Sequence, residues 1–273
     1  TFMLRAAQGP PSPDYASLAL ATVLYFSREL RDSSVVIANS TVDVTGPAVT
    51  CVYVIDAANS SIVVARSRFA ARLTTLSVSG FLSATRFGFF LFIVFDGNPS
   101  SSATLARFRC LISASRVEIV GDRQPPGIVD PRMPTLLSLH TGVTDTGCVL
   151  AVADCLVTLS WLRAAEEASV LTIEASTSGG RATGLTQYVT DSSISCNVPL
   201  TTRFRVLRWG GAAKSVFVVH RCAFRLYNTT GGNSQRLLSS QQNTVLDEVH
   251  LDARDLRLLF SGARHASIEA AVL

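Results

Sequence analysis

Few side chains in this chain could do chemistry, and their spacing suits it poorly. The four histidines are His140, His220, His250 and His265. His140, Asp145 and Cys148 outline a nucleophile–imidazole–carboxylate set. Such triads are assembled from positions far apart in sequence, and here the stretch from Gly142 to Gly147 reads as a turn between them. His220 falls inside the apolar run Phe217-Val218-Val219-His220-Arg221-Cys222, the setting of a hydrogen-bonded structural histidine. Asp247 and His250 stand three apart, which on a helix could chelate a metal, but no second ligand pair accompanies them. Glu166 and Glu167 are adjacent, point different ways, and read as a surface turn. The Lys214-Ser215 pair lacks the glycines of a phosphate-binding loop, because Arg208 and Ala213 hold those positions. No dinucleotide fingerprint, nucleophile elbow or H-E-x-x-H helix is present. The expectation is no enzyme, no metal and no cofactor.

Composition narrows the class further. Apolar residues make up 48% of the 273 positions and charged residues 16%, which excludes general disorder and leaves apolar surface for partners. The longest apolar run, Phe87 to Phe95, is far short of the roughly 20 residues a spanning helix needs. No signal-peptide pattern opens the sequence, and a start at Thr1 rather than Met points to a processed product or a fragment. The net charge is +4, and every basic residue except Lys214 is arginine. Arginine grips phosphate with a planar fork, but GC-rich codon usage gives the same bias. Arg107 and Arg109, Arg203 and Arg205, and Arg221 and Arg225 read as pairs on shared strand faces. Those faces suit RNA phosphates or acidic loops, and equally plain solvent.

The cysteines Cys51, Cys110, Cys148, Cys155, Cys196 and Cys222 have no C-x-x-C spacing. Most lie in apolar runs, as buried free thiols do. Three sequons, at Asn39, Asn59 and Asn228, would fit secretion, although a chain this rich in Ser and Thr produces some by chance.

The elements that must position these residues read as β throughout. Residues 1–34 form an arm with a helix over Asp14 to Leu30, capped by Ser12 or Asp14. From Val35 onward, short Val/Ile/Phe/Thr runs alternate with Gly, Pro, Asn, Asp and Ser clusters, the pattern of a sandwich or barrel. Strands are expected over 49–55, 61–65, 88–95, 104–112, 116–120, 148–161, 169–175, 202–208 and 215–227. Short helices are expected at 164–168 and 251–260. No internal repeat is visible.

One stretch adds a resemblance. Gly88-Phe89-Phe90-Leu91-Phe92-Ile93-Val94-Phe95 precedes Asp96-Gly97-Asn98 and the strand Leu105 to Ile112. Pro125-Pro126-Gly127, the His140-Thr141 segment and the strand ending at Trp161 follow. Ser169 to Ile173 and Thr202 to Arg208 come later. In pattern and order, residues 45 to 210 resemble capsid proteins of picorna-like positive-strand RNA viruses. The resemblance implies an all-β, antiparallel jelly-roll β-sandwich over 35–227, with an N-terminal arm (1–34) and a C-terminal extension (228–273). It implies a structural subunit of an icosahedral virion, assembled in the host cytoplasm with homologous jelly-roll subunits. Genomic RNA would meet the arm at Arg5, Arg28 and Arg31. A secreted or surface lectin-like β-sandwich binding module is the alternative.

Overall fold

The computed structural model describes residues 2–5, 20–26, 30–46, 48–54, 57–73, 86–93, 105–121, 133–141, 145–162, 165–175, 182–198, 201–209, 212–227, 234–240, 246–261 and 267–268. Every regular element among them is a strand. The strands form four sheets, two of eight strands and two of seven.

Every pairing is parallel. Sheet A runs Phe2–Arg5, Thr41–Gly46, Arg68–Leu73, Arg116–Gly121, Leu156–Trp161, Ser193–Asn197, Ala223–Tyr227 and Arg257–Ser261. Sheet B begins with Leu20–Phe26 and Ala48–Val54 and closes with Ser234–Ser240 and Ser267–Ile268. Sheet C consists of two-residue strands from Leu30–Arg31 to Leu246–Asp247. Sheet D runs Ser34–Ala38, Ser61–Ala65, Arg109–Ser113, Val149–Ala153, Thr186–Thr190, Val216–His220 and His250–Arg254. The chain visits A, B, C and D in turn, then returns to A one step along. This is a four-sided parallel β-solenoid, and the antiparallel jelly-roll sandwich is corrected. The same sheets hold strands on both sides of residues 34 and 227.

The reason for the correction lies in one face of each strand. Strands of sheets A and D alternate buried and half-exposed residues, as Ser61–Ala65 and Arg116–Gly121 do. Alternation of that kind usually belongs to antiparallel sheets with one wet face, since ordinary parallel sheets are covered on both. A solenoid escapes the rule. Each coil closes on itself, so its parallel strands share one interior and keep the other face outside. The expected helix over Asp14 to Leu30 is a strand where it is described, with Leu20–Phe26 pairing in parallel with Ala48–Val54. Likewise 251–260 holds two strands, and 164–168 enters the strand Ala165–Ala175.

A repeat is present after all. Seven stretches share one plan: Leu30–Gly46, Ala57–Leu73, Leu105–Gly121, Asp145–Trp161, Ala182–Val198, Ala212–Tyr227 and Leu246–Ser261. Each has a two-residue strand, a corner, a five-residue strand, a second corner and a strand of sheet A. The first residue of each corner has positive φ. The first corners hold Asp32, Asn59, Arg107, Gly147, Gly184, Lys214 and Glu248; the second hold Asn39, Arg66, Ala114, Asp154, Asp191, Arg221 and Asp255. Left-handed backbone suits Gly, Asn and Asp, and the other residues here accept its cost.

The residue after each corner turns inward and is often Ser or Cys. Ser67 Oγ accepts from the Ser40 amide at 3.1 Å and donates to the Ala65 carbonyl at 2.9 Å. One coil on, Ser115 Oγ accepts from the Ser67 amide at 3.1 Å and donates to the Ser113 carbonyl at 2.6 Å. Ser192 serves Cys155 in the same way, and Ser215 serves Leu185. Cys155 and Cys222 occupy serine positions, each thiol 3.1 Å from the carbonyl two residues back. Each corner thus satisfies its own turn and ties down the coil before it.

Inside, columns of apolar residues stack from coil to coil. Val42, Phe69, Val117, Val157, Ile194 and Phe224 form one column in sheet A. Ile62, Cys110 and Leu150 stack in sheet D. Trp161 is fully buried and lies over Gly121, where an added Cβ would collide with the indole ring.

Candidate binding face

The coil gives two adjoining outer surfaces, on sheets A and D. On sheet D the first, third and fifth residue of each strand point outward. The middle column reads Val36, Val63, Leu111, Ala151, Tyr188 and Val218, in register. The flanking columns read Ser34, Ser61, Arg109, Val149, Thr186 and Val216, and Ala38, Ala65, Ser113, Ala153, Thr190 and His220. From Ser34 to His220 the outward residues that carry a cationic group are Arg109 and His220, and none is a carboxylate. Val36 is 63% exposed and Tyr188 38%.

Sheet A differs. Its outward positions include Arg68, Arg72, Arg116, Glu118 and Arg225. Arg68 and Arg116 are direct neighbours in the ladder, and both lean on Glu118, with Nη2 to Oε2 distances of 3.8 and 4.0 Å. The carboxylate relieves the repulsion of like charges side by side.

A charged row closes sheet D at its last coils. His220 Nε2 lies 3.1 Å from Asp252 Oδ2, and Arg254 Nε donates to Asp252 Oδ1 at 2.6 Å. Arg221 grips Asp191 with both ends of its fork, at 2.6 and 2.8 Å. Arg221 lowers the Asp191 pKa chiefly through those bonds. Burial pushes the Asp252 carboxyl up, but the bonds from His220 and Arg254 together outweigh it and hold the pKa below the ordinary value. Both carboxylates are therefore committed anions, and neither is poised to give a proton. The row anchors the last coils.

The sequence-predicted residues are scattered by the coil. Arg31 is exposed on a strand of sheet C, paired in register with Ala58. Arg5 ends the first strand of sheet A, opposite Thr45, and its side chain lies outside the described residues. Arg28 lies outside them altogether. Of the arginine pairs, Arg107 and Arg221 are corner residues, so neither shares a strand face with Arg109 or Arg225. Arg205 is buried at 8% exposure, not solvated on an outer face. His250 and Asp247 lie on neighbouring strands of sheets D and C. Among the described residues no group of three or more potential ligands gathers to hold a metal.

All six cysteines are free and buried. Burial pushes the thiols of Cys51, Cys110 and Cys196 up to about 12, so they remain protonated and inert. Two sequons find a structural cause. Asn39 and Asn59 are left-handed corners, and Ser40 and Ser60 are the inward corner serines behind them. Corner chemistry accounts for the first two residues of each triplet, and the third, Thr41 or Ser61, opens the following strand.

The missed feature is the outward face of sheet D. Its local trace is small or apolar residues at alternate positions of five-residue strands that each follow a corner, and the face itself forms only when the coils stack. The fold and this face define the class, a parallel β-solenoid with an apolar column on the outer wall of sheet D and a mixed wall of charged and apolar residues on sheet A. No family model, no curated protein and no solved structure matches the chain.

Proposed function

We propose that this chain is a non-catalytic recognition solenoid working through the outward face of sheet D. One observation carries the reading: an apolar column in register from Val36 to Val218 on the outer side of the coil, interrupted in exposure only by the small, buried Ala151. Water contact with such a surface is unfavourable, and folding has not removed it. The committed aspartates and buried thiols supply no group poised for acid–base or nucleophilic work. Of the two readings drawn from sequence, the shell subunit leaned on jelly-roll order and loses that support. A surface binding module needs only an exposed recognition face, and is the reading carried forward, without the sandwich.

The test is direct. Wild-type protein is expected to bind an apolar fluorescent dye and to be retained on a hydrophobic-interaction resin. The double variant V63K/L111K is expected to lose most of both while keeping the wild-type circular dichroism and melting temperature. Equal retention of the two folded proteins would remove the face from consideration.

A further inference from the structure

The reading of sheet D as a recognition face leaves open what it recognises, and the rims of the face bear on that. Four cations border it without an ion-pair partner among the described residues. Arg107 and Lys214 sit at the first corners and Arg66 at a second corner, while Arg109 opens its strand of sheet D. All four are exposed. In the same coils, Asp154 is the one bordering carboxylate that is not engaged; Asp191 is held by Arg221. The apolar centre is thus edged by positive charge on its first-corner side, at Arg107, Arg109 and Lys214, whereas on the second-corner side Arg66 is offset by Asp154. Further acids lie in the outermost coils, at Asp32, Asp247, Glu248, Asp252 and Asp255.

Size separates the possible occupants. Six strands about 4.8 Å apart, each about 16 Å long, give a face of roughly 450 Å². A stable protein partner takes about 800 Å² per side, with aromatic anchors in pockets. This face is half that size and flat, and its side chains are mostly Val, Ala, Ser and Thr. A second copy stacked on it would gain too little. RNA would meet bare Val and Ala where it needs stacking platforms. A fluid surface needs no shape match. Short apolar side chains can seat at the headgroup boundary while the rim arginines meet anionic headgroups.

We propose that sheet D docks the solenoid side-on against an anionic lipid surface, with Val63, Leu111 and Val218 facing the lipid and Arg66, Arg107, Arg109 and Lys214 holding headgroup phosphates. Such an attachment is peripheral. Among the described residues no helix is long and apolar enough to cross a membrane.

Co-sedimentation of the full chain with vesicles tests this. Vesicles of phosphatidylcholine with 30% phosphatidylserine are the probe, against phosphatidylcholine alone, at low and high salt. Binding is expected only with the anionic lipid, and is expected to weaken as salt rises. R107E/R109E is expected to lose at least about 25-fold, at about fivefold for each cation removed. V63K/L111K separates the two contributions: it adds cations, so pure charge attraction would strengthen its binding, whereas docking through apolar contact predicts loss. Circular dichroism of each variant verifies its fold. Equal binding to both vesicle types, stronger binding by V63K/L111K, or no vesicle binding would overturn the proposal. So would RNA binding without vesicle binding, or a lipid-free dimer in ultracentrifugation that V63K/L111K dissolves. Dye and resin retention by the wild type would still stand in those cases, so failure here is distinct from failure of the recognition face.

Discussion

Sheets A and D share one backbone plan and one interior, yet their outer walls differ: sheet A mixes several arginines and Glu118 with the exposed Leu156, Tyr227 and Leu259, while sheet D carries an in-register apolar column. Arg116–Gly121 and Arg109–Ser113 lie in the same coil. Inward, Val117 and Ile119 do the same work as Cys110 and Ile112, and all four are at most 2% exposed. Outward, one strand presents Arg116 and Glu118 and the other Leu111 and Ser113. The inward and corner residues thus specify the coil. The outward residues are released from that duty, and composition there reports what the surface meets.

The largest test of this division is inside. Phe69→Ala in sheet A and Phe217→Ala in sheet D remove fully buried rings from equivalent columns. Each is expected to cost about 3–5 kcal/mol in chemical denaturation. A large difference between the two would mean that the walls are not energetically equivalent inside.

Corners come next. Ser115→Ala removes the acceptor for the Ser67 amide and the donor to the Ser113 carbonyl. A loss of about 1–3 kcal/mol is expected, because buried backbone groups are left unpaired. Ser115→Cys, which copies the chemistry of Cys155, is expected to recover most of it. Failure of that rescue would show that cysteine is tolerated at corners and does not serve them.

A smaller effect of opposite sign is expected at Gln187. Its amide is 1% exposed in an inward column between Leu150 and Phe217, and neither its Oε1 nor its Nε2 has a hydrogen-bond partner. Gln187→Leu is expected to raise stability by about 1–2 kcal/mol in the same denaturation assay.

The smallest effect concerns the charged row. Asp191 and Asp252 have folded pKa values below their ordinary 3.8. A depressed carboxylate stabilises the fold fully above its unfolded pKa and loses that contribution as pH falls through the folded one. The wild-type melting temperature is therefore expected to drop below about pH 4 more steeply than that of R221Q/R254Q. Parallel curves would show that these ties add nothing measurable.

Much of the local structure was legible. Ser61–Ala65 was read with its true bounds, and the expected strands 49–55, 88–95, 116–120 and 202–208 lie within two residues of observed ones, while strands such as Thr41–Gly46, Arg68–Leu73 and Thr186–Thr190 were not read. Three readings, 104–112, 148–161 and 215–227, each hide a corner, at Arg107, Asp154 and Arg221, because a single left-handed residue leaves little trace when it is not Gly or Asn. Topology was not legible. Alternation in Arg116–Gly121 says that one face is wet, and says nothing of strand direction. The repeat escaped because its interval is not constant. Ser34 meets Ser61 across 27 residues, Ser67 meets Ser115 across 48, and Cys155 meets Ser192 across 37. A search for a fixed period cannot see units spaced by connections of such different length. The sheet D face was hidden in turn, since Val36, Leu111 and Val218 are neighbours only once the coils are stacked.

That variable interval has a practical side. Extra residues between coils fall at two seams, between sheets A and B and between B and C, as 74–85 and 94–104 do. From sheet C through D to A the chain admits almost none. The coil behaves like a loom frame whose warp is fixed and whose slack is confined to one side. A foreign peptide grafted at 94–104 would interrupt none of the corner hydrogen bonds described above. The same peptide placed after Ala114 would have to break a ladder of hydrogen bonds reaching into the coils on either side.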